Sequence, residues 1–144
     1  MLLIRKTDDI SKSVKDFVSD MNLSKKPIYV FDIHKTALHK DGTPNDEIYD
    51  WIESLKSEDY NLFFLSYDGQ EKRIHENYRK IKKIYKDIPC IFMMKRKKHL
   101  VLKNLVKWIN IDKRHKVKGT LIDDNPLNIK DMEKLGDEFK GIQF

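Results

Sequence analysis

The chain has 144 residues, a length typical of one globular domain, and 40% of them are hydrophobic while 36% are charged. No run approaches the roughly 18 apolar residues of a membrane span, so no membrane partner is expected, and charge follows Met1–Ile4 too soon for a signal peptide. The single cysteine, Cys90, excludes an intramolecular disulfide and favours a reducing compartment, so we expect a cytoplasmic protein.

The net charge of +6 conceals an uneven distribution along the chain. Residues 71–118 contain 17 of the 29 Lys and Arg but only 4 of the 23 acids, which gives this segment a net charge of +13. A basic face of this kind attracts polyanions such as nucleic acid. A set of solvated helix faces is the alternative explanation.

Apolar residues at helical spacing alternate along the chain with short apolar runs typical of buried strands. The pattern predicts, in chain order, a helix over 8–21, a strand over 27–32, a helix over 46–57, a strand over 61–66, a helix over 70–86, a strand over 88–94, a helix over 100–110, a strand over 118–123, a helix over 126–135 and a strand over 139–144. Five strands that alternate with helices predict an α/β, Rossmann-like fold, with a mainly parallel sheet between two helical layers. We expect one domain over 1–144, in which residues 1–26 form an N-terminal helical extension packed on the core.

Polar residues stand at the ends of three predicted strands. Asp32 follows an apolar run, Ser66 ends the next strand, and Asp123 and Asp124 end the strand over 118–123. Open α/β sheets bind their ligands at the carboxyl ends of the strands. A carboxylate directly after a buried run is costly to bury without a partner, so we interpret Asp32 as functional. One of the paired acids is instead a candidate N-cap for the helix that follows.

The polar residues at these strand ends, in their order and spacing, resemble the sequence motifs of the haloacid dehalogenase (HAD) superfamily of phosphotransferases. VFDIHKT at 30–36 is similar to the family's strand followed by Asp-x-Asp-x-Thr, and the strand ending at Ser66 is similar to its second motif. A lysine at the start of a helix and the acids of LIDD at 121–124 resemble the third and fourth motifs, where the chain is also similar to the phosphatase domains of polynucleotide kinases. The segment between Asp32 and Ser66 is too short for a cap domain, which predicts a capless member with an open site.

The resemblance implies a Mg²⁺-dependent phosphatase that acts through an aspartyl phosphate, on a phosphorylated nucleic-acid end or a nucleotide. Asp32 would be the nucleophile, and Lys103 would supply positive charge to the transferring group, with Lys98 and Lys95 as the alternatives. The implied Mg²⁺ ligands are Asp32, the backbone carbonyl of His34, and Asp123 or Asp124. The implied phosphate-binding residues are Thr36, which would otherwise order the loop, Ser66, Tyr67 and Lys98.

His34 stands where the family's phosphatases have an aspartate that protonates the leaving oxygen and later deprotonates water. Imidazole can perform both steps because its unperturbed pKa is about 6.5, so we hypothesise that His34 is the general acid and base. The change also leaves open a catalytically degenerate HAD-like domain that binds nucleic acid or a partner protein. A third possibility is a stand-alone basic nucleic-acid-binding domain, although the sequence contains no recognition motif for one.

Overall fold

The computed structural model describes residues 1–111 and 116–144, and within them six strands form one sheet flanked by five helices. The strands are β1 (Leu2–Ile4), β2 (Ile28–Phe31), β3 (Asn61–Tyr67), β4 (Cys90–Met93), β5 (Gly119–Asp123) and β6 (Phe139–Gln143). The helices are α1 (Ile10–Ser19), α2 (Asp46–Ser57), α3 (Glu71–Ile84), α4 (Lys98–Ile109) and α5 (Pro126–Glu133). The strand order is β1-β4-β3-β2-β5-β6, and every neighbouring pair is parallel. The predicted Rossmann-like α/β class with a parallel sheet is therefore confirmed.

Strand β1 is the element that the sequence did not predict. It lies at one edge of the sheet and pairs with β4, so that Ile4 is opposite Met93. Three apolar residues are too short a run to show the alternation that identifies a strand. The prediction of five strands is therefore wrong, and residues 1–26 contain a strand as well as helix α1.

Two hydrophobic clusters cover the two faces of the sheet. Helices α1, α4 and α5 pack on one face and α2 and α3 on the other, as the membership of the two clusters shows. In β3, Phe63 and Leu65 belong to the first cluster, while Leu62 and Phe64 belong to the second. Burial of each such side chain stabilises the fold by about 1.5–3 kcal/mol. The strands that carry the polar residues at their ends are thus fixed from both sides.

The side of the sheet on which the chain adds successive strands changes at β2. From β2 the chain adds β3 and β4 on one side, and then crosses to add β5 and β6 on the other. In doubly wound sheets, the crevice at such a switch point is the usual ligand-binding site. The crevice here lies between the carboxyl ends of β2 and β5.

None of the helices within 1–111 and 116–144 has both the length and the apolar character needed to cross a membrane. The longest of them, α3, has 14 residues, whereas a membrane span needs about 20.

Candidate active site

Three carboxylates converge at the crevice between β2 and β5. The strands pair with Phe31 opposite Ile122, so the next residues, Asp32 and Asp123, are neighbours. The amide of Asp32 donates to the carbonyl of Ile122 at 2.8 Å and extends this pairing past the strand end. One ligand oxygen from each of Asp32, Asp123 and Asp124 lies within 4.8 Å of the other two. The structure thus brings together the acids that the sequence placed at two strand ends.

Lys98 lies between two of these carboxylates. Its Nζ donates to Asp32 Oδ1 at 2.6 Å and to Asp123 Oδ2 at 2.8 Å. All three side chains are buried, with relative exposures of 5% for Lys98, 6% for Asp32 and 1% for Asp123. The ammonium group is therefore a fixed part of the cluster, held by two charge-assisted hydrogen bonds.

The sequence analysis preferred Lys103 as the lysine that neutralises the transferring group. The structure does not place Lys103 at the site. Helix α4 begins at Lys98, two residues earlier than predicted, so Lys98 rather than Lys103 lies at the helix end nearest the strand ends. Lys103 is five residues farther along, about 7.5 Å along the helix axis. Its side chain is exposed and lines a separate depression beside Phe139. Lys95, the other alternative, does not line the crevice either.

Further hydrogen bonds orient the two buried carboxylates. Asp123 Oδ1 accepts from the amide of Asn125 at 2.9 Å, and Asp123 Oδ2 accepts from Asn128 Nδ2 at 3.0 Å. Asn125 is also the N-cap of α5, because its side chain accepts from the amide of Leu127. The N-cap role that the sequence left open for an acid is thus filled by Asn125. Thr36 is fully buried and its Oγ1 donates to Asp32 Oδ2 at 3.4 Å, which places it behind the site.

The cluster carries more negative than positive charge. Burial raises the pKa of Asp32 to about 7; the charge of Asp123 and a hydrogen bond with Asp124 add to this, while Lys98 opposes it. Burial alone would lower the pKa of Lys98, but the charges of Asp32 and Asp123 outweigh it and raise that pKa. Three carboxylates around one ammonium favour a further cation. An all-oxygen donor set suits hard ions such as Mg²⁺, so these residues could hold one.

A cavity of about 250 Å³ opens above the cluster. Seven of its lining residues were sequence candidates, and they are Asp32, His34, Ser66, Tyr67, Lys98, Asp123 and Asp124. The sequence reasoning missed four others, Lys35, Arg96, Asn125 and Asn128. Only Lys95 and Lys98 of the basic residues at 95–98 were sequence candidates, and Arg96 between them was not. Asn128 lies in a helix that the sequence predicted, but its hydrogen bond with Asp123 has no local signal in the sequence.

His34 lies on the loop that follows β2. The loop turns tightly, since the amides of Ala37 and Leu38 donate to the carbonyls of Asp32 and Ile33. Lys35 has a φ of 60°, a left-handed conformation that is strained for a residue with a side chain. The His34 side chain lines the cavity, and partial desolvation of its ring lowers its pKa, opposed by the charge of Asp68 and a hydrogen bond with Asn77. The neutral imidazole therefore predominates at neutral pH.

No protein-family model matches this chain, and no curated protein matches its sequence. The resemblance to the HAD superfamily consequently remains a prediction from the motifs.

Proposed function

We propose that the protein is a capless, HAD-like, Mg²⁺-dependent phosphohydrolase that acts through an aspartyl-phosphate intermediate. The observation that carries this proposal is the buried ammonium of Lys98 between Asp32 and Asp123, at the switch point of the sheet. Phosphoryl transfer requires a nucleophile, neutralisation of charge and a group that moves protons. Asp32, Lys98 and His34 all line the one cavity and are suited to these three tasks.

The residues suited to holding Mg²⁺ are Asp32, Asp123 and Asp124, whose oxygens converge. The bound ion would neutralise the repulsion between an attacking carboxylate and a phosphate group. Asn125 and Asn128 hold both oxygens of Asp123 in one orientation, as residues that support metal ligands commonly do.

In the first step, an oxygen of Asp32 attacks phosphorus, an O–P bond forms, and the bond to the leaving oxygen breaks. The leaving oxygen takes a proton from His34, which enters this step as imidazolium. Lys98 stabilises the charge on the transferring group, and Ser66, at the end of β3, offers a hydroxyl to it. In the second step, neutral His34 takes a proton from water, which attacks phosphorus and regenerates Asp32 and inorganic phosphate.

The lowered pKa of His34 has opposite consequences for the two steps. It favours the neutral form that deprotonates water and reduces the fraction of imidazolium that protonates the leaving oxygen. A substrate with a poor leaving group therefore needs a lower pH than an aryl phosphate, whose oxygen departs with little protonation. A flat rate profile between about pH 5 and 8 for a poor leaving group contradicts the role given to His34.

The surroundings of the cavity support a site that accepts large substrates. Between β2 and β3 the chain has one loop and α2, and between β3 and β4 it has α3 alone. These short connections, with one helix each, support our proposal that the protein has no cap domain.

A second candidate function is a degenerate HAD-like domain that binds nucleic acid or a partner protein without catalysis. His34, in place of the aspartate that the resemblance leads one to expect, is the observation that favours it. A binding domain has no evident need for three converging carboxylates and a buried lysine, which favours the enzyme.

Release of inorganic phosphate from an aryl phosphate and from a 3′-phosphorylated oligonucleotide tests the proposal, with Mg²⁺ or with EDTA. We expect release that requires Mg²⁺ and is lost in Asp32→Asn. Asp137→Asn is the matched control, because Asp137 is an exposed acid outside the cavity. No release in any condition contradicts the enzyme and leaves the degenerate domain, whereas equal release by Asp32→Asn contradicts the role of Asp32 as nucleophile.

A further inference from the structure

A second concavity adjoins the candidate active site and is lined almost wholly by cations. Its lining residues are Lys6, Met94, Lys95, Arg96 and Lys97. Arg96 lines both this concavity and the active-site cavity, so the two adjoin at its side chain. We call the four cations, Lys6, Lys95, Arg96 and Lys97, the cationic track.

Strand β1 is what completes the cationic track. It pairs in parallel with β4, and the amide of Met94 donates to the carbonyl of Ile4 at 2.9 Å beyond the last strand pair. The residues that follow the two strands, Lys6 and Lys95 among them, therefore leave the sheet side by side at its carboxyl edge. The active site lies at the same edge.

The charges of the cationic track are not neutralised within the described part of the chain. No carboxylate of residues 1–111 or 116–144 lies within ion-pair distance of any of the four cations. Neighbouring cations differ in this respect, since Arg5 pairs with Glu71 at 2.7 Å and Arg73 pairs with Asp68 at 2.9 Å. A group of adjacent unpaired cations fits a partner with several negative charges.

An aromatic contact stands where the track meets the active site. The guanidinium of Arg96 lies over the Tyr67 ring, 5.0 Å from its centroid. A planar pair of this kind at the start of a basic path offers a stacking surface for a base, as in many single-strand-binding proteins. This favours a nucleic-acid strand over an acidic peptide.

We infer that the cationic track holds the strand adjoining a terminal phosphate, so that the substrate is the phosphorylated end of a single-stranded oligonucleotide. This inference deepens the proposed function and rests on it. From β2 to β1 the path crosses three strand spacings of about 4.8 Å, about 14 Å in all. That length accommodates roughly two to four phosphates of a single strand.

The magnitude of the effect follows from counterion release. Each phosphate contact on a single strand contributes about 0.7 to the slope of log K against log salt concentration. Removing three contacts therefore reduces the slope by about 2 and weakens binding at about 0.1 M salt by about 10²-fold.

The test uses the full chain with Lys6, Lys95 and Lys97 all changed to Gln. The matched control changes Lys25, Lys83 and Lys118 to Gln, because these are exposed and distant from the track. Two quantities are measured for each variant. One is the affinity for a fluorescent 3′-phosphorylated oligothymidylate of about eight nucleotides, in EDTA and over a range of salt. The other is kcat/KM with Mg²⁺ for that oligonucleotide and for an aryl phosphate.

We expect the track variant to lose about 10²-fold in oligonucleotide affinity and in kcat/KM, and to change by less than about 3-fold on the aryl phosphate. Equal losses in the control variant, or none in the track variant, overturn the inference. Stronger displacement of the oligonucleotide by an acidic phosphopeptide than by unlabelled oligonucleotide also overturns it. If no phosphate is released from any substrate while the binding and its salt slope behave as expected, the proposed function fails and the track still binds nucleic acid.

Discussion

Replacement of Lys98 by Met tests the arrangement of the site most sharply. Methionine keeps most of the length of the side chain but removes the ammonium that bridges Asp32 Oδ1 at 2.6 Å and Asp123 Oδ2 at 2.8 Å. Removing one partner of a buried ion pair costs about 3–5 kcal/mol, because the remaining charge is left unpaired. We therefore expect Lys98→Met to lower the free energy of unfolding of the metal-free protein by that amount at about pH 8.

The loss depends on pH and on metal in a defined direction. Burial raises the pKa of Asp32 to about 7 and Lys98 opposes that rise, so without Lys98 this carboxylate takes up a proton more readily and the cost of Lys98→Met decreases as the pH falls below about 7. A cation bound at Asp32, Asp123 and Asp124 replaces part of the missing charge, and at about 100 times its Kd it restores about 2.7 kcal/mol. The rate of phosphate release falls about 10²–10³-fold, the usual effect of losing one group that stabilises the transition state.

The matched control is Lys103→Met, on the exposed face of the same helix. A surface substitution of this kind changes stability by less than about 0.5 kcal/mol. The assay is urea unfolding in EDTA at several pH values, followed by a repeat with Mg²⁺ and by phosphate release. If Lys98→Met costs no more than Lys103→Met, or if Lys103→Met abolishes the activity, the reasoning is refuted.

Four further outcomes are expected. In the metal-free protein the raised pKa of Asp32 contributes stability that is fully present below about pH 4 and is lost as the pH rises to about 7. Asp32→Asn should remove this decrease in the free energy of unfolding with pH, as measured by urea titrations, and an unchanged decrease disproves the prediction. Mg²⁺ should raise the melting temperature more at about pH 8 than at about pH 5, because a proton competes with the metal for Asp32, whose pKa is raised to about 7; equal shifts argue against the metal site. Gly141→Ala should destabilise the fold by about 1–3 kcal/mol, because its new Cβ would lie 2.7 Å from Ile129 Cγ2, whereas Gly69→Ala, with 3.6 Å to its nearest neighbour, should cost less. Asn128→Ala should weaken Mg²⁺ binding by about 10–100-fold in calorimetry, since it holds Asp123; unchanged affinity excludes that supporting role.

The sequence predicted the sheet well wherever a strand is buried on both faces. The strands at 28–31, 61–67 and 119–123 are almost wholly buried and contain consecutive apolar residues, as a parallel sheet covered by helices requires. The convergence of Asp32 with Asp123 and Asp124 follows from topology, because parallel strands end at one edge. It needed no knowledge of side-chain contacts.

The sequence could not predict features that depend on which strands pair, on where helices begin, or on contacts between distant side chains. Strand β1 is recognisable only through its partner β4, because three residues carry no period of their own. The choice between Lys98 and Lys103 depended on where α4 begins, and helix ends are the least certain part of a pattern. The pairing of Arg96 with Tyr67 joins two separate strand ends, and no local signal reports it.

The central claim is that Asp32 is phosphorylated during turnover. The most direct measurement quenches the enzyme with acid while it hydrolyses an aryl phosphate in Mg²⁺, reduces it with borohydride, and sequences the peptides by mass spectrometry. The account predicts homoserine at position 32, formed by reduction of the acyl phosphate, with none in EDTA. Phosphate release without any modified Asp32, or a phosphorylated residue elsewhere in the chain, contradicts it.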